Sequence, residues 1–183
     1  MAYTKLIVIH SRLDRCLDYT QDEEKTSLET VLDYAMNRDK TEQDCFETAL
    51  NCSRETAYAD MMDTKRRWGK VSRKRKGYHV IQSFGPGEVT PEQAFAIGKE
   101  TARQMWGDQY QVLVTVHLNT DNVHCHFVVN PVSFKDGTKF KNKIGDHKEL
   151  RKISDEICRE HELSVLENSD FYSKGKKKEY WVH

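Results

Sequence analysis

Val112–Val132 reads VLVTVHLNTDNVHCHFVVNPV, and the fold turns on it. LVTVHL and HCHFVVN alternate as half-buried strands do, and the NTDN between them is made of turn formers. The spacing predicts an antiparallel hairpin with His117 near the end of one strand and His124 and His126 near the start of the next. Residues two apart on a strand share a face, so His124 and His126 point one way and Cys125 and Phe127 the other. His117, across a short turn, reaches the same patch, and three imidazoles aimed at one point make a candidate metal site. Three neutral nitrogens leave positions on an ion open, which suits catalysis better than a closed structural site. Asp121, in the turn, is either an Asx cap of the hairpin or an acceptor that fixes a histidine tautomer or takes a proton.

The chain has 183 residues, enough for one well-buried core and too few for two sizeable domains. No stretch approaches the roughly 18 apolar residues of a membrane span, and MAYTKLIVIHSR lacks the apolar core and cleavage site of a signal peptide. A cytoplasmic protein without membrane insertion is expected. Five cysteines form no CxxC pair, which argues against a disulfide frame or a thiolate zinc site.

Formal net charge is zero, which alone argues against nucleic acid, but its distribution is uneven. Lys65–Lys76 contains no acid, Lys135–Lys143 is a second basic run and Lys174–Lys178 a third, while acids gather in Asp18–Glu24 and Asp39–Glu47. A charge run is ordinarily a solvated face; three segregated basic runs fit a track for phosphates.

In chain order, Tyr3–Ile9 is an apolar run expected to form a central strand. Leu13, Cys16 and Leu17 predict one helix, and Leu28, Val31, Leu32 and Ala35 a second. These helices end in similar phrases, LDYTQDEEKT and LDYAMNRDKT, whose Tyr19 and Tyr34 lie on the flank of an apolar stripe where a hydroxyl stays accessible. A helix with Ser53 as N-cap is expected to run to Gly69, followed by an exposed basic loop to Lys76. Tyr78–Phe84 alternates as a strand, with His79, Ile81 and Ser83 on one face and Tyr78, Val80, Gln82 and Phe84 on the other. Thr90-Pro91-Glu92 starts a helix to about Trp106, Phe134–Phe140 forms a tight turn between short strands, and Asp146–Leu163 is a last helix. The result is an α+β fold: a central, mainly antiparallel sheet flanked by α-helices, with the metal site on two adjacent central strands. One domain over residues 1–166 and a loosely held basic tail over 167–183 are expected.

Several of these stretches together resemble the relaxases, the mobilisation nucleases of conjugative plasmids and transposons, within the HUH endonuclease class. VHLNTDNVHCHFVVNPVSFKDGTKF is similar to the family's third motif, in which six residues separate a histidine, here His117, from an H-hydrophobic-H triplet, here His124-Cys125-His126. YHVIQSF resembles the second motif, and LNCSRETAYADMMDTKRRWGK a segment between the first and second motifs. The likeness runs from about Tyr3 to Leu166 and is nearest to MobP-type relaxases.

The resemblance implies a nickase for single-stranded DNA at an origin of transfer, where a tyrosine attacks the scissile phosphate, leaves a 5′-phosphotyrosyl bond and a free 3′-hydroxyl, and later rejoins the strand. It implies a divalent cofactor, Mn2+ or Mg2+ foremost, with Zn2+, Co2+ or Ni2+ as alternatives. The first motif is a tyrosine on the helix after the first strand; order along the chain favours Tyr19, and Tyr34 competes through its spacing to Asn51-Cys52. Candidate DNA contacts are His79, Ser83, Trp68, Arg73, Lys74, Arg75, Lys76, Lys139 and Lys141, with Trp68 or Tyr78 able to stack on an unpaired base. Expected partners are the transfer-origin strand with an adjacent hairpin, and accessory DNA-binding and coupling proteins, with the chain a monomer. A rolling-circle replication initiator and a non-catalytic, metal-containing DNA-binding module are the alternative readings.

Overall fold

Alternation along the strands decides which side chains reach the core. The computed structural model describes residues 2–10, 46–71, 75–118 and 122–165. These form strands β1 (Tyr3–His10), β2 (Glu47–Leu50), β3 (Arg75–Ser83), β4 (Val112–His117) and β5 (His124–Val129), and helices α1 (Ala57–Arg67), α2 (Pro91–Trp106) and α3 (Ile144–Glu160). The strands make one sheet in the order β1-β3-β5-β4-β2, and every neighbouring pair is antiparallel. β4 and β5 are the predicted hairpin, and the mainly antiparallel α+β fold is the one observed.

One face of the sheet is covered by helices. Tyr78, Val80, Val114, Val116, Cys125, Phe127 and Val129 are fully buried there against Ala94, Ile97, Ala102 and Trp106 of α2 and Leu150, Ile157 and Cys158 of α3. Gly98 lets α2 approach closely: a Cβ on it would stand 2.8 Å from Cys125 Sγ. Removing a side chain the size of Phe127 from water stabilises the fold by about 1.5–3 kcal/mol. On the opposite face α1 packs at one end, with Ala57 and Met61 against Ile9, Leu113 and Val128.

Local signals hold at α2. Thr90 caps it, its side chain accepting from Gln93 N at 3.2 Å, while Gln93 Oε1 accepts from Thr90 N at 3.0 Å, and proline stands in the first turn. The strand over 78–84 has the predicted faces: Tyr78, Val80, Gln82 and Phe84 are buried, and His79, Ile81 and Ser83 are half-buried.

Other expectations need correction. β1 is an edge of the described sheet, because β3 is the one described strand that pairs with it. α1 begins at Ala57, and Ser53 is not its N-cap: its backbone N–H donates to Asp60 Oδ2 at 2.8 Å and its hydroxyl to Glu55, so it fastens the turn before the helix. The end near Gly69 holds, with φ +61 there. Arg75 and Lys76 belong to β3 rather than to a loop. Residues 134–140 turn as expected, with one bridge, Val132 to Lys139, in place of two strands. α3 spans Ile144–Glu160 in place of 146–163, and β2 was not anticipated. The helices expected around Tyr19 and Tyr34 lie outside the described residues. Among the described residues no helix is long and apolar enough to cross a membrane.

Candidate metal centre

The face on which α1 packs is organised in rows set by strand register. His117 of β4 lies opposite His124 of β5, and His126 lies opposite Thr115 of β4 and Ile81 of β3. Opposed residues share a face, so His117, His124, His126 and Thr115 all project away from α2 and α3. The ring centroids are 4.0 Å apart for His117 and His126, 4.8 Å for His124 and His126, and 5.4 Å for His117 and His124. One nitrogen from each ring falls within 4.8 Å of the others. His117 and His126 are buried and His124 is half-buried. Cys125 points the other way, as expected; its thiol donates to Ala94 O at 3.2 Å, and burial raises its pKa, so it stays a thiol in the core.

Neighbouring groups bear on which ring nitrogen is available. His124 Nδ1 is 2.9 Å from the carbonyl of Asn122, which accepts only if Nδ1 carries the proton; Nε2 then keeps its lone pair. His126 Nδ1 is 2.6 Å from Nε2 of His79, and the two rings stack at 4.8 Å. For His126 to present Nε2 as a ligand, its Nδ1–H must donate and His79 must accept. Burial, aided by the nearby charges of His117, His124 and Lys5, holds the His79 pKa down to about 4, which keeps that ring neutral as the arrangement requires. Thr115 Oγ1 is buried beside this cluster with no hydrogen-bond partner. Three imidazoles with such backing fit Mn2+, Zn2+, Co2+ or Ni2+ better than Mg2+, which prefers oxygen donors.

His79, a candidate DNA contact, lies against the ring of His126. The signal was present in the strand alternation, but the pairing of β3 with β5 decides it. Ser83 stands opposite His124 at the end of β3. Tyr78 cannot stack on a base: it is fully buried on the helix face and its hydroxyl donates to Phe140 O at 3.1 Å. Trp68 is half-buried over Gly137, so tightly that a Cβ there would meet its ring at 2.6 Å.

The first two basic runs come together. Arg75 donates to Lys141 O at 3.1 Å, and Lys70 donates to Gly137 O. Arg75 and Lys141 are exposed; Lys76 and Lys139 are half-buried. Lys65 is buried, donates to Lys76 O at 2.5 Å, and has its pKa lowered to about 8 by burial with Lys76 adding, so it serves the fold. Arg75 and Ser83 are the two ends of β3, so about 25 Å of strand separates this basic corner from the row of His124. Tyr19, Tyr34, Asp121, Arg73, Lys74 and the third basic run lie outside the described residues.

The chain belongs to the relaxases: residues 34–163 match the nuclease domain of the MobA/VirD2-like family. It is 40% identical over 120 residues to protein rlx of Staphylococcus aureus, an alignment covering 66% of this chain and 36% of that protein. It is 26% identical over 217 residues to the group II intron-interrupted relaxase LtrB of Lactococcus lactis subsp. cremoris, covering 92% of this chain and 38% of LtrB. The chain thus spans a little over a third of the length of the curated relatives it matches. A structure solved in work on the molecular basis of vancomycin resistance transfer in Staphylococcus aureus shares the fold, with TM-score 0.61, 14% identity and coverage of 90% of this chain and 96% of that one.

Proposed function

We propose that the chain is the nicking domain of a conjugative relaxase, which cleaves and rejoins one DNA strand at an origin of transfer. The observation that carries this is the meeting of His117, His124 and His126 on the face of the sheet opposite α2 and α3, in a chain of the relaxase family. His117, His124 and His126 would hold the divalent ion, foremost Mn2+. When bound, such an ion supplies Lewis acidity that polarises a non-bridging phosphate oxygen and offsets charge at phosphorus.

Everything else falls to the chain's own groups. The phenol oxygen of Tyr19 or Tyr34 forms a bond to phosphorus while the bond from phosphorus to the 3′-oxygen breaks. The products are a 5′-phosphotyrosyl bond and a 3′-hydroxyl. The phenol's proton goes to an acceptor, for which Asp121 is the candidate, and the 3′-oxygen takes a proton as it leaves. Tyrosine ionises near pH 10, so it needs such an acceptor to act near neutrality. The bond to the protein keeps the phosphodiester energy, and the same steps reversed rejoin the strand. His79 holds the ring of His126, and Arg75 and Lys141, at the far end of β3, serve the DNA backbone some nucleotides away from the cleaved bond.

The test is incubation with Mn2+ and a labelled single strand carrying a candidate transfer origin, read on a denaturing gel. A covalent adduct lost in Tyr19→Phe names Tyr19 as the nucleophile, and loss in Tyr34→Phe names Tyr34. Tight metal and DNA binding with no adduct on any origin would replace the nickase with a DNA-binding module.

A further inference from the structure

The row through His126 ends in opposite charges. Glu47 of β2 lies opposite Thr115 of β4, which lies opposite His126 of β5; on the other side His126 lies opposite Ile81 of β3, which lies opposite Lys5 of β1. An acid and a cation thus stand two strand separations, about 10 Å, to either side of β5. Opposed residues share a face, which puts Glu47 on the side of the histidines. Its neighbours agree: Ala49, two residues on, packs with the residues of α1, whereas Phe46 and Leu50 pack on the helix-side core. Glu47 is the one acidic residue in the five described strands. Glutamate is disfavoured in strands, and this side chain is only 9% exposed, with Arg54 4.0 Å away tying it to the turn before α1. His117 is two residues from Thr115 on the same face, so Glu47 stands diagonal to it across β2 and β4, with Cβ atoms roughly 7–8 Å apart. Lys5 likewise stands diagonal to His79, and there its charge reaches the ring, adding to the fall in the His79 pKa. A charge in such a place therefore acts on the cluster, and Glu47 carries the opposite sign.

We infer that Glu47 sets the affinity of the metal centre for a divalent cation from outside its ligand set, with Lys5 opposing it from the other end of the row. Three neutral imidazoles bring no charge to a divalent ion, and the carboxylate of Glu47 brings one. The group of ligand atoms that lie within 4.8 Å of one another is His117, His124 and His126, and Glu47 is not in it, so the carboxylate acts through space. Its side chain is largely out of water, where a charge is screened less than on the surface. Lys5 is exposed, and its opposing effect is the weaker and the more sensitive to salt. This inference rests on the reading of the three histidines as the metal centre and adds to it what sets the strength of binding.

Titration of metal-free protein with Mn2+ in the absence of DNA, read as the electron paramagnetic resonance signal of the free ion, tests it. The proteins are wild type, Glu47→Gln, Glu47→Asp, Lys5→Gln and the variant with His117, His124 and His126 changed to alanine, each with a urea melt to check its fold. Glu47→Gln keeps the shape of the side chain and removes its charge; it is expected to bind Mn2+ about ten-fold more weakly, with Glu47→Asp close to wild type. Lys5→Gln should bind about two-fold more tightly at low salt and lose that gain near 1 M salt. A folded Glu47→Gln protein that binds Mn2+ as wild type does would overturn the inference and leave the metal centre standing. Weaker binding that follows a lowered urea midpoint and is not recovered in Glu47→Asp would make Glu47 a packing residue and overturn it too. Weaker binding in Lys5→Gln would contradict an effect of charge sign, with the same result. Wild type that binds no more tightly than the triple-histidine variant would bring down the metal centre and the inference together.

Discussion

Two residues next to each other on β5 have opposite fates. Phe127 is sealed in the helix-side core, touching the ring of Trp106 with centroids 5.8 Å apart, while His126 faces the other side of the sheet among three other imidazoles. One strand therefore carries a stability face and a chemical face, and period-2 geometry keeps them apart. The difference teaches that the helix side can be rigid and dry without limiting what the other side binds. Changes on the two faces should separate cleanly into loss of fold and loss of activity.

The largest expected effect is on the buried side. Phe127→Ala should cost about 3–5 kcal/mol, seen as a fall in the urea midpoint with activity lost only in proportion to unfolded protein. His126→Ala should instead keep a folded protein and lower metal-dependent adduct formation by about a thousand-fold or more, an effect of roughly 4 kcal/mol on the barrier. A large drop in stability from His126→Ala with residual activity intact would erase the division between the faces.

His79 sharpens it further. Its pKa is held to about 4 by burial first and then by neighbouring positive charge, against 6.5 for an ordinary histidine. As pH falls below 6.5 the unfolded chain gains this proton and the folded one does not, so stability is lost progressively down to about pH 4. Above pH 6.5 both states are neutral and His79 contributes no pH dependence. Urea titrations of metal-free protein at pH 7 and 4.5 should differ by up to about 3 kcal/mol from this residue, and His79→Gln should flatten the difference. Gly98→Ala, pressing a methyl on Cys125 Sγ at 2.8 Å, should cost about 1–3 kcal/mol and leave DNA cleavage per folded molecule unchanged. Thr90→Ala, which removes the cap of α2, should cost about 1 kcal/mol in thermal or urea melts.

The hairpin was legible because two alternating runs flank turn residues, and its histidines could be placed on one face by counting in twos. The start of α2 was legible because Thr90, Pro91 and Gln93 are a local grammar that needs no partner. β2 was not: ETAL has no alternating apolar pattern, and it becomes a strand by pairing with β4, far along the chain. The apolar run of β1 says strand but does not say where in the sheet, which depends on its pairing with β3. The contact of His79 with His126 spans 47 residues and exists only through the register of β3 on β5. Sequence patterns report a side chain's face, and only tertiary pairing reports its neighbour on that face.

The most direct test of the central claim, that His117, His124 and His126 hold the ion on which nicking depends, compares adduct formation across a Mn2+ titration in wild type and in the variant with all three changed to alanine. The account predicts an adduct in wild type that vanishes with chelator and returns with Mn2+, and none in the triple variant at any concentration although it remains folded and binds the strand. Equal adduct yield in the triple variant, or full yield in wild type under chelator, would contradict it.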